Sequence, residues 1–549
     1  MIDAQIPMRD GIYLSAAVWL PSPAKKFPAI LIRTPYNKSR RWHRTHDVLN
    51  FIQYFCSRGY AVIYQDVRGR GDSEGEFLDG DEGEDGCDTI DWILKQKWSN
   101  GHVAMMGSSF QAGAQWAVLK QKHPALKVFA PSASTDFHTV FYRGGAACLE
   151  NIFWWTYVVS GRMDQRDLAE IIDWKNILKT RPLTNIGYKI GRELPLAQKF
   201  LQAKDITHDP VFGQKLDETD FANIKVPGLH ITGWFDASQL GTLSHWDMMI
   251  KNSPASEKQH LIIGPWTHSQ SASQGSLRVG EMSFTANSQL DLMDLHANFY
   301  DYYLKGEQGG FDFPSVQLYV TGANYWRNFK TYPPEGAAEV MYFLHESGVL
   351  NTTIPSEEEP DTYLFNPHNP APSFDGPFSL GGDMSQIERR GDVLTYTSEE
   401  LQSQLEIIGK VVFNLFAAST AVDTDFIIRL IDVHPDGKAI KLGPPLPGVM
   451  RARHRYGLNQ EVFLTPGEIA EYKIELGHYG HVFKLGHRIR LEITSSAYPE
   501  ISINQNTGNP IESDLECIEA HQTVYHNTEY PSALILPVYM GDRGPFKGN

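Results

Sequence analysis

Cysteine is scarce. Four occur in 549 residues, at Cys56, Cys87, Cys148 and Cys517, with no C-x-x-C spacing and no Cys/His cluster. That excludes a disulfide framework and a zinc-finger type of site. Positive charge is also in deficit: 49 Lys+Arg against 65 Asp+Glu leave a net charge of −16. Nucleic acids select for basic patches and anionic membrane surfaces for basic clusters, so neither is expected as a partner. No apolar run reaches the length of about 18 residues that a spanning helix needs. The start, Met1 to Asp10, lacks the basic residues and apolar core of a signal peptide. The expected location is therefore the cytoplasm.

What is present is ordinary for a globular chain: 42% hydrophobic and 21% charged residues. At about 150 residues per domain the length allows three or four domains. Over 1–136, β-rich runs alternate with helical patterns. Leu14 to Leu20, Ala29 to Arg33, Tyr60 to Gln65, Val103 to Met106 and Leu126 to Ala130 predict strands. His46 to Arg58, Asp85 to Lys97 and Gln111 to Lys122 predict helices. Such alternation means βαβ units and a parallel sheet. Strand signals vanish over 137–223, where Trp154, Trp155, Ile171, Ile172, Trp174 and Leu178 sit in helix-compatible spacing, so a helical insertion is expected. Strand–helix alternation resumes over 224–333. Short alternating runs broken by Gly, Pro, Asn and Asp fill 334–549 and predict a β-sandwich.

Gly107-Ser108-Ser109-Phe110 follows a buried strand and opens a helix. A sharp strand-to-helix turn of this kind presents the nucleophile of an α/β-hydrolase. The match to G-x-S-x-G is imperfect, because Gln111 stands where the second glycine belongs. Ser109 as a plain helix N-cap is the bland alternative. A nucleophilic serine needs an acid and then a base later in the chain, each just past a strand. Asp236, in Gly233-Trp234-Phe235-Asp236, and His268, in Gly264-Pro265-Trp266-Thr267-His268, satisfy that order. His268 would take the Ser109 proton, and Asp236 would fix its tautomer. A turn carboxylate and one of 20 histidines are the bland alternative for these two.

These segments, together with Arg33-Thr34-Pro35-Tyr36-Asn37-Lys38 and Asp66 to Gly75, resemble the cocaine esterase-like (CocE/NonD) hydrolases. That family is related to the α-amino-acid ester hydrolases, glutaryl acylases and X-Pro dipeptidyl-peptidases. Asp432 to Gly437 and Gly486 to Leu491 are similar to its C-terminal jelly roll. The resemblance runs nearly end to end. It implies an α/β-hydrolase domain with an inserted helical cap and a C-terminal jelly-roll β-sandwich. It implies a serine esterase or acylase working without a cofactor or metal. It implies an oxyanion hole made by the Tyr36 phenol and the Phe110 backbone N–H. At the elbow Phe110 replaces the family's Tyr and Ala112 its last Gly.

Phe153, Trp154, Trp155 and Tyr157 are candidates for an aromatic pocket wall. Glu150, Asp164, Asp167 and Glu170 form no recognisable amine-binding cluster and are expected on a solvated face. His43 and His46 lack a third metal ligand. Asp66, Arg68 and Arg70 suggest a structural polar network, since phosphate-loop spacing is missing there. The expected partner is a small ester or amide, with homo-oligomerisation left open. X-Pro dipeptidyl-peptidase, β-lactam or α-amino-acid ester acylase, and a catalytically silent binding module are the rivals. Ester cleavage is favoured over peptide cleavage, because X-Pro peptidases usually carry extra N-terminal structure that receives a free amine.

Overall fold

Apolar runs buried on both faces build the central sheet. Phe27–Thr34 (β3), Ala61–Asp66 (β4), Gly228–Phe235 (β7) and Gln259–Thr267 (β8) are almost wholly buried. They read as near-continuous hydrophobic stretches rather than alternating ones, as parallel strands covered on both sides must. With Ile2–Pro7 (β1), Tyr13–Trp19 (β2), Ser99–Ser109 (β5), Leu126–Ser134 (β6), Val316–Val320 (β9) and Tyr325–Phe329 (β10) they form a 10-stranded sheet. Its order is β1-β2-β4-β3-β5-β6-β7-β8-β9-β10. All pairings from β4 to β9 are parallel, while β1, β2 and β10 join antiparallel at the two ends. The computed structural model describes residues 1–549 except 23–24, 40–45, 210, 212, 214, 274, 308–312, 374–380 and 542–549.

Helices Glu82–Leu94 and Phe110–Lys120 pack together on this sheet. Between β6 and β7 the chain is mostly helical, but it also contains a small ribbon, Tyr142–Arg143 paired with Ala146–Ala147. Within 224–333, helix Leu292–Tyr300 runs on into a π-helical turn over Asp301–Lys305.

Twelve strands between Ala337 and Tyr539 form a second sheet, antiparallel in all but one pairing. The helical insertion shares a core with it. Leu149, Phe153, Trp174 and Phe200 pack in one cluster with Phe413, Leu415, Ile428, Tyr472 and Leu491. The ribbon is hydrogen-bonded to the same sheet, Arg451 N–H donating to Gly144 O at 2.8 Å and Ser502 N–H to Ala147 O at 2.7 Å. The two sheets are tied directly as well. The Gln239 amide receives the His478 N–H and donates to the His478 carbonyl, both at 2.9 Å.

At Gly144 the approach is closest. Its φ is +48°, and a Cβ there would lie 1.8 Å from Val449 O. Gly144→Ala must therefore push the insertion off the second sheet. It should cost about 2 kcal/mol or more, against about 1 kcal/mol for Gly191→Ala, where φ is +67° but the surrounding space is open. Denaturant unfolding of the two variants measures the difference, and equal losses would contradict this account of the contact.

Candidate active site

Strand β5 ends at Ser109 and a helix starts at Phe110 with no linker. Ser109 sits at φ +62° and ψ −125°, outside the regions that non-glycine residues favour, at a cost of about 1–3 kcal/mol. Its hydroxyl makes no capping bond to the helix it precedes, so the N-cap alternative fails. Gly107 has φ +136°, and a Cβ there would lie 2.5 Å from Gln111 Cβ. Gln111 is tolerated at the motif's second glycine position because its side chain folds back. Ser108 N–H donates to its Oε1 at 3.3 Å, and its Nε2 donates to Tyr64 OH at 3.0 Å. Ala112 is fully buried.

Asp236 and His268 follow the last residues of β7 and β8, Phe235 and Thr267, which are register partners on neighbouring parallel strands. The pairing of these strands, with a bulge between Gly264 and Thr267, sets the two side chains next to each other. His268 Nδ1 lies 2.8 Å from Asp236 Oδ1. Asp236 is completely buried, and its carboxylate is fully engaged. It accepts from Ser238 N–H at 2.8 Å, Ser271 Oγ at 3.2 Å and Thr232 Oγ1 at 3.4 Å. Burial pulls the His268 pKa down, but the charge and hydrogen bond of Asp236 pull it up by more, and Arg166 pushes it down; the net result lies above the ordinary 6.5.

Ser109 Oγ is 3.2 Å from Thr135 Oγ1, which is 3.4 Å from Ser238 Oγ. Ser238 in turn holds Asp236 through its backbone. A chain of short contacts thus runs from Ser109 to the Asp236–His268 pair, although no hydrogen bond joins Ser109 to His268 directly. Thr135, Ser238 and Ser271 were not singled out from the sequence. The Asp236-Ala237-Ser238 turn, in which a carboxylate binds the N–H two residues on, is the one signal that could have pointed to Ser238.

Tyr36 lies just past β3, and its backbone N–H donates to Thr34 Oγ1 at 3.1 Å. The Trp155 indole N–H donates to the Tyr36 oxygen at 3.2 Å, and the Arg166 guanidinium lies 5.2 Å above the Tyr36 ring. Arg166 Nε is buried without a hydrogen-bond partner. Phe110, Phe77, Phe137 and Trp155 form an aromatic cluster with ring centroids 4.9–6.5 Å apart. Trp155 therefore reaches both proposed oxyanion residues. Phe153 is buried in the core shared with the second sheet, Trp154 packs partly buried against that core, and Tyr157 meets Trp174 edge to face and lies under Arg192.

One expectation is corrected. Glu150 is not on a solvated face: it is 6% exposed, and burial together with Glu500 pushes its pKa up to about 7. The apolar character of its helix, Leu149–Val158, carries it into the interior. Asp164 and Asp167 are half-buried rather than fully exposed, while Glu170 is exposed as expected.

The Asp66–Gly75 segment is a polar brace. Asp66 accepts Lys38 N–H at 2.6 Å, and Arg68 grips Asp85 and Asp10 at 2.6 Å each. Arg70 donates to Pro35 O at 2.7 Å and to the carbonyls of Val159 and Gly161, so it links the Tyr36 loop to the helical insertion. His43 lies outside the described residues, and His46 opens helix His46–Ser57.

Residues 10–270 match the X-Pro dipeptidyl-peptidase (S15) family, and residues 309–535 match the X-Pro dipeptidyl-peptidase C-terminal non-catalytic domain. The cocaine esterase of Rhodococcus sp. (strain MB1 Bresler) is 32% identical over 98% of both chains. Among solved structures, an α-amino acid ester hydrolase superposes with a TM-score of 0.87 at 28% identity, covering 98% of this chain and 96% of that one. An aminopeptidase from a marine sediment Thaumarchaeota archaeon superposes with a TM-score of 0.86 at 26% identity, with the same coverages. No helix among the described residues is long and apolar enough to cross a membrane. The fold is an α/β-hydrolase domain joined to a β-rich C-terminal one, and the chain belongs to the cocaine esterase-like (CocE/NonD) family of serine hydrolases.

Proposed function

We propose that the chain cleaves carboxylic esters through an acyl-enzyme on Ser109. His268 Nε2 takes the hydroxyl proton as Ser109 Oγ attacks the carbonyl carbon, then gives it to the departing alcohol. Water repeats the cycle to release the acid. Asp236 keeps the His268 proton on Nδ1 and stabilises the imidazolium. The tetrahedral oxyanion is received by the Tyr36 O–H and the Phe110 N–H, the latter among the free donors at a helix N-terminus.

The observation that carries this assignment is the strained Ser109 backbone together with a buried, fully hydrogen-bonded Asp236 carboxylate that holds the half-exposed His268. Strain of that size persists only where the surroundings enforce it. Ser109 Oγ has to leave Thr135 and turn toward His268 on substrate binding, and catalytic hydrogen bonds are commonly long or unformed in ligand-free enzymes. A plain ester is favoured over an α-amino ester or an X-Pro peptide because the charged group over Tyr36 is Arg166, a cation. A substrate ammonium would be repelled there. Trp154 and Phe153 remain proposed contributors to the acyl pocket beside Trp155.

A fluorophosphonate probe should label the wild type and leave Ser109→Ala unlabelled. Equal labelling, or none on either, would instead favour another nucleophile or a silent binding module. A panel of p-nitrophenyl esters, β-lactam esters and Xaa-Pro chromogenic dipeptides should show turnover highest on the simple esters. Tyr36→Phe should lower kcat about a hundredfold with the fold intact by circular dichroism; unchanged turnover would remove Tyr36 from the reaction.

The pH dependence has a definite sign. His268 must be neutral to act as a base, and its pKa is raised, so kcat/KM should fall as pH drops through a midpoint above 6.5. Arg166 opposes protonation of His268, so Arg166→Gln should move that acid limb to higher pH. An acid limb that stays in place would mean that the Arg166 charge does not reach His268.

A further inference from the structure

The two C-terminal segments that carry the family resemblance, around Asp432 and His487, play no part in ester cleavage. Strand Asp425–Val433 pairs antiparallel with Arg488–Thr494, with Val433 opposite Arg488. Continuing that register by one step sets His434 opposite His487. Asp432, two residues before His434, shares its face of the strand. The outcome is a convergent trio. His487 Nδ1 lies 2.8 Å from Asp432 Oδ1, His434 Nε2 lies 3.6 Å from Asp432 Oδ2, and the two imidazole centroids are 4.5 Å apart. One donor atom from each residue can be chosen so that all lie within 4.8 Å of one another.

The turns that carry these residues are fixed. His434 N–H donates to Lys438 O at 2.8 Å, and Leu401 N–H donates to His487 O at 2.9 Å. His481 reaches Asp432 from the other side, Nε2 to Oδ2 at 3.2 Å, and its Nδ1 lies 2.8 Å from Thr321 Oγ1 in the hydrolase domain. The trio also faces space. A cavity of about 160 Å³ is lined by Asp432, His434, His481 and His487, with Glu281 and Lys484 adding opposite charges to its wall.

We propose that Asp432, His434 and His487 bind a divalent first-row transition ion of the zinc, cobalt or nickel kind. Ligands held at about 2.0–2.1 Å around a tetrahedral ion lie about 3.4 Å apart. The 3.6 Å between His434 and Asp432 is already close to that edge, whereas it is too long for a good hydrogen bond. Two imidazoles with one carboxylate suit these ions, while Ca²⁺ and Mg²⁺ require oxygen donors throughout. Three protein ligands leave the fourth position to water from the cavity. The cavity wall also includes Met282, Ser283 and Phe284, on the segment that follows His268. A bound ion would therefore stiffen the junction between that segment and the second sheet.

The test is calorimetric titration of the full-length, chelator-treated protein with Zn²⁺, repeated with Co²⁺ and with Mg²⁺. Zn²⁺ and Co²⁺ should each bind at one strong equivalent and raise the melting temperature, and Mg²⁺ should not bind. Because the chain has 20 histidines, the assignment rests on His434→Ala. This residue is partly exposed in a turn, and the variant should fold, retain wild-type ester hydrolysis and bind Zn²⁺ at least tenfold more weakly. His487→Ala should lose binding too, but it also removes the prop of Asp432, so His434→Ala is decisive. The site is overturned if wild type shows no strong equivalent, or if His434→Ala binds as tightly as wild type.

Discussion

Ser109 is held where a side chain does not belong. At φ +62° and ψ −125° the residue costs about 1–3 kcal/mol, a sizeable share of a typical net stability of 5–15 kcal/mol. The surroundings leave it no other conformation. The strand before it is pinned in register between β3 and β6, and the helix after it lies against Glu82–Leu94 and β6. Gln111 then locks the turn from inside by holding Ser108 N–H and Tyr64 OH. The strain lifts the hydroxyl clear of the helix end and leaves the Phe110 N–H free, so one local cost positions both the proposed nucleophile and a proposed oxyanion donor.

The remaining parts of the site come from elements that would drift unless bound to this frame. The Tyr36 loop is held by Arg70, which also holds the helical insertion at Val159 and Gly161. The insertion is anchored on the second sheet by a shared core and by the ribbon around Gly144. That sheet is anchored on the hydrolase sheet through Gln239 and His478. A β-rich domain that contributes no residue to the Ser109–Asp236–His268 group therefore still fixes Trp155 over Tyr36.

Much of this was legible in the sequence, for an identifiable reason. Ser109, Asp236 and His268 each follow a buried strand, and Gly107, Gly233 and Gly264 mark the strand ends, so strand order alone brings them to one edge. The second sheet was visible as short alternating runs over 334–549, which include the strands Asp425–Val433 and Arg488–Thr494. Strand β1 and the Tyr142–Ala147 ribbon carry no apolar signal of their own, because they are short and are stabilised by partners distant in sequence. Glu150 was misplaced because charge suggests exposure, whereas seven of the ten residues of its helix other than Glu150 itself are buried apolar or Thr neighbours that carry it inward. Thr135 and Arg166 were illegible, since their importance lies only in what they touch, and Ser238 was signalled only by its place in the turn after Asp236. The Asp432–His434–His487 trio spans more than fifty residues and exists only once the register of two antiparallel strands is known.

Two contacts on Tyr36 decide whether it can serve as a donor. Its oxygen has one proton and two lone pairs, and the Trp155 indole can only donate. Trp155 therefore occupies a lone pair and leaves the phenolic proton for an incoming oxyanion. Arg166 acts on the ring face. A full charge on the phenol at 5.2 Å would be worth about 3 kcal/mol at an effective dielectric of about 20, and a hydrogen-bonding phenol acquires only a fraction of that charge. The same cation disfavours the imidazolium that His268 must become. Asp236 offsets it through direct contact at 2.8 Å, and the pKa of His268 remains raised. The arrangement can therefore place a positive charge beside the proposed oxyanion donor without disarming the proposed base, because the buried carboxylate is in direct contact with the imidazole.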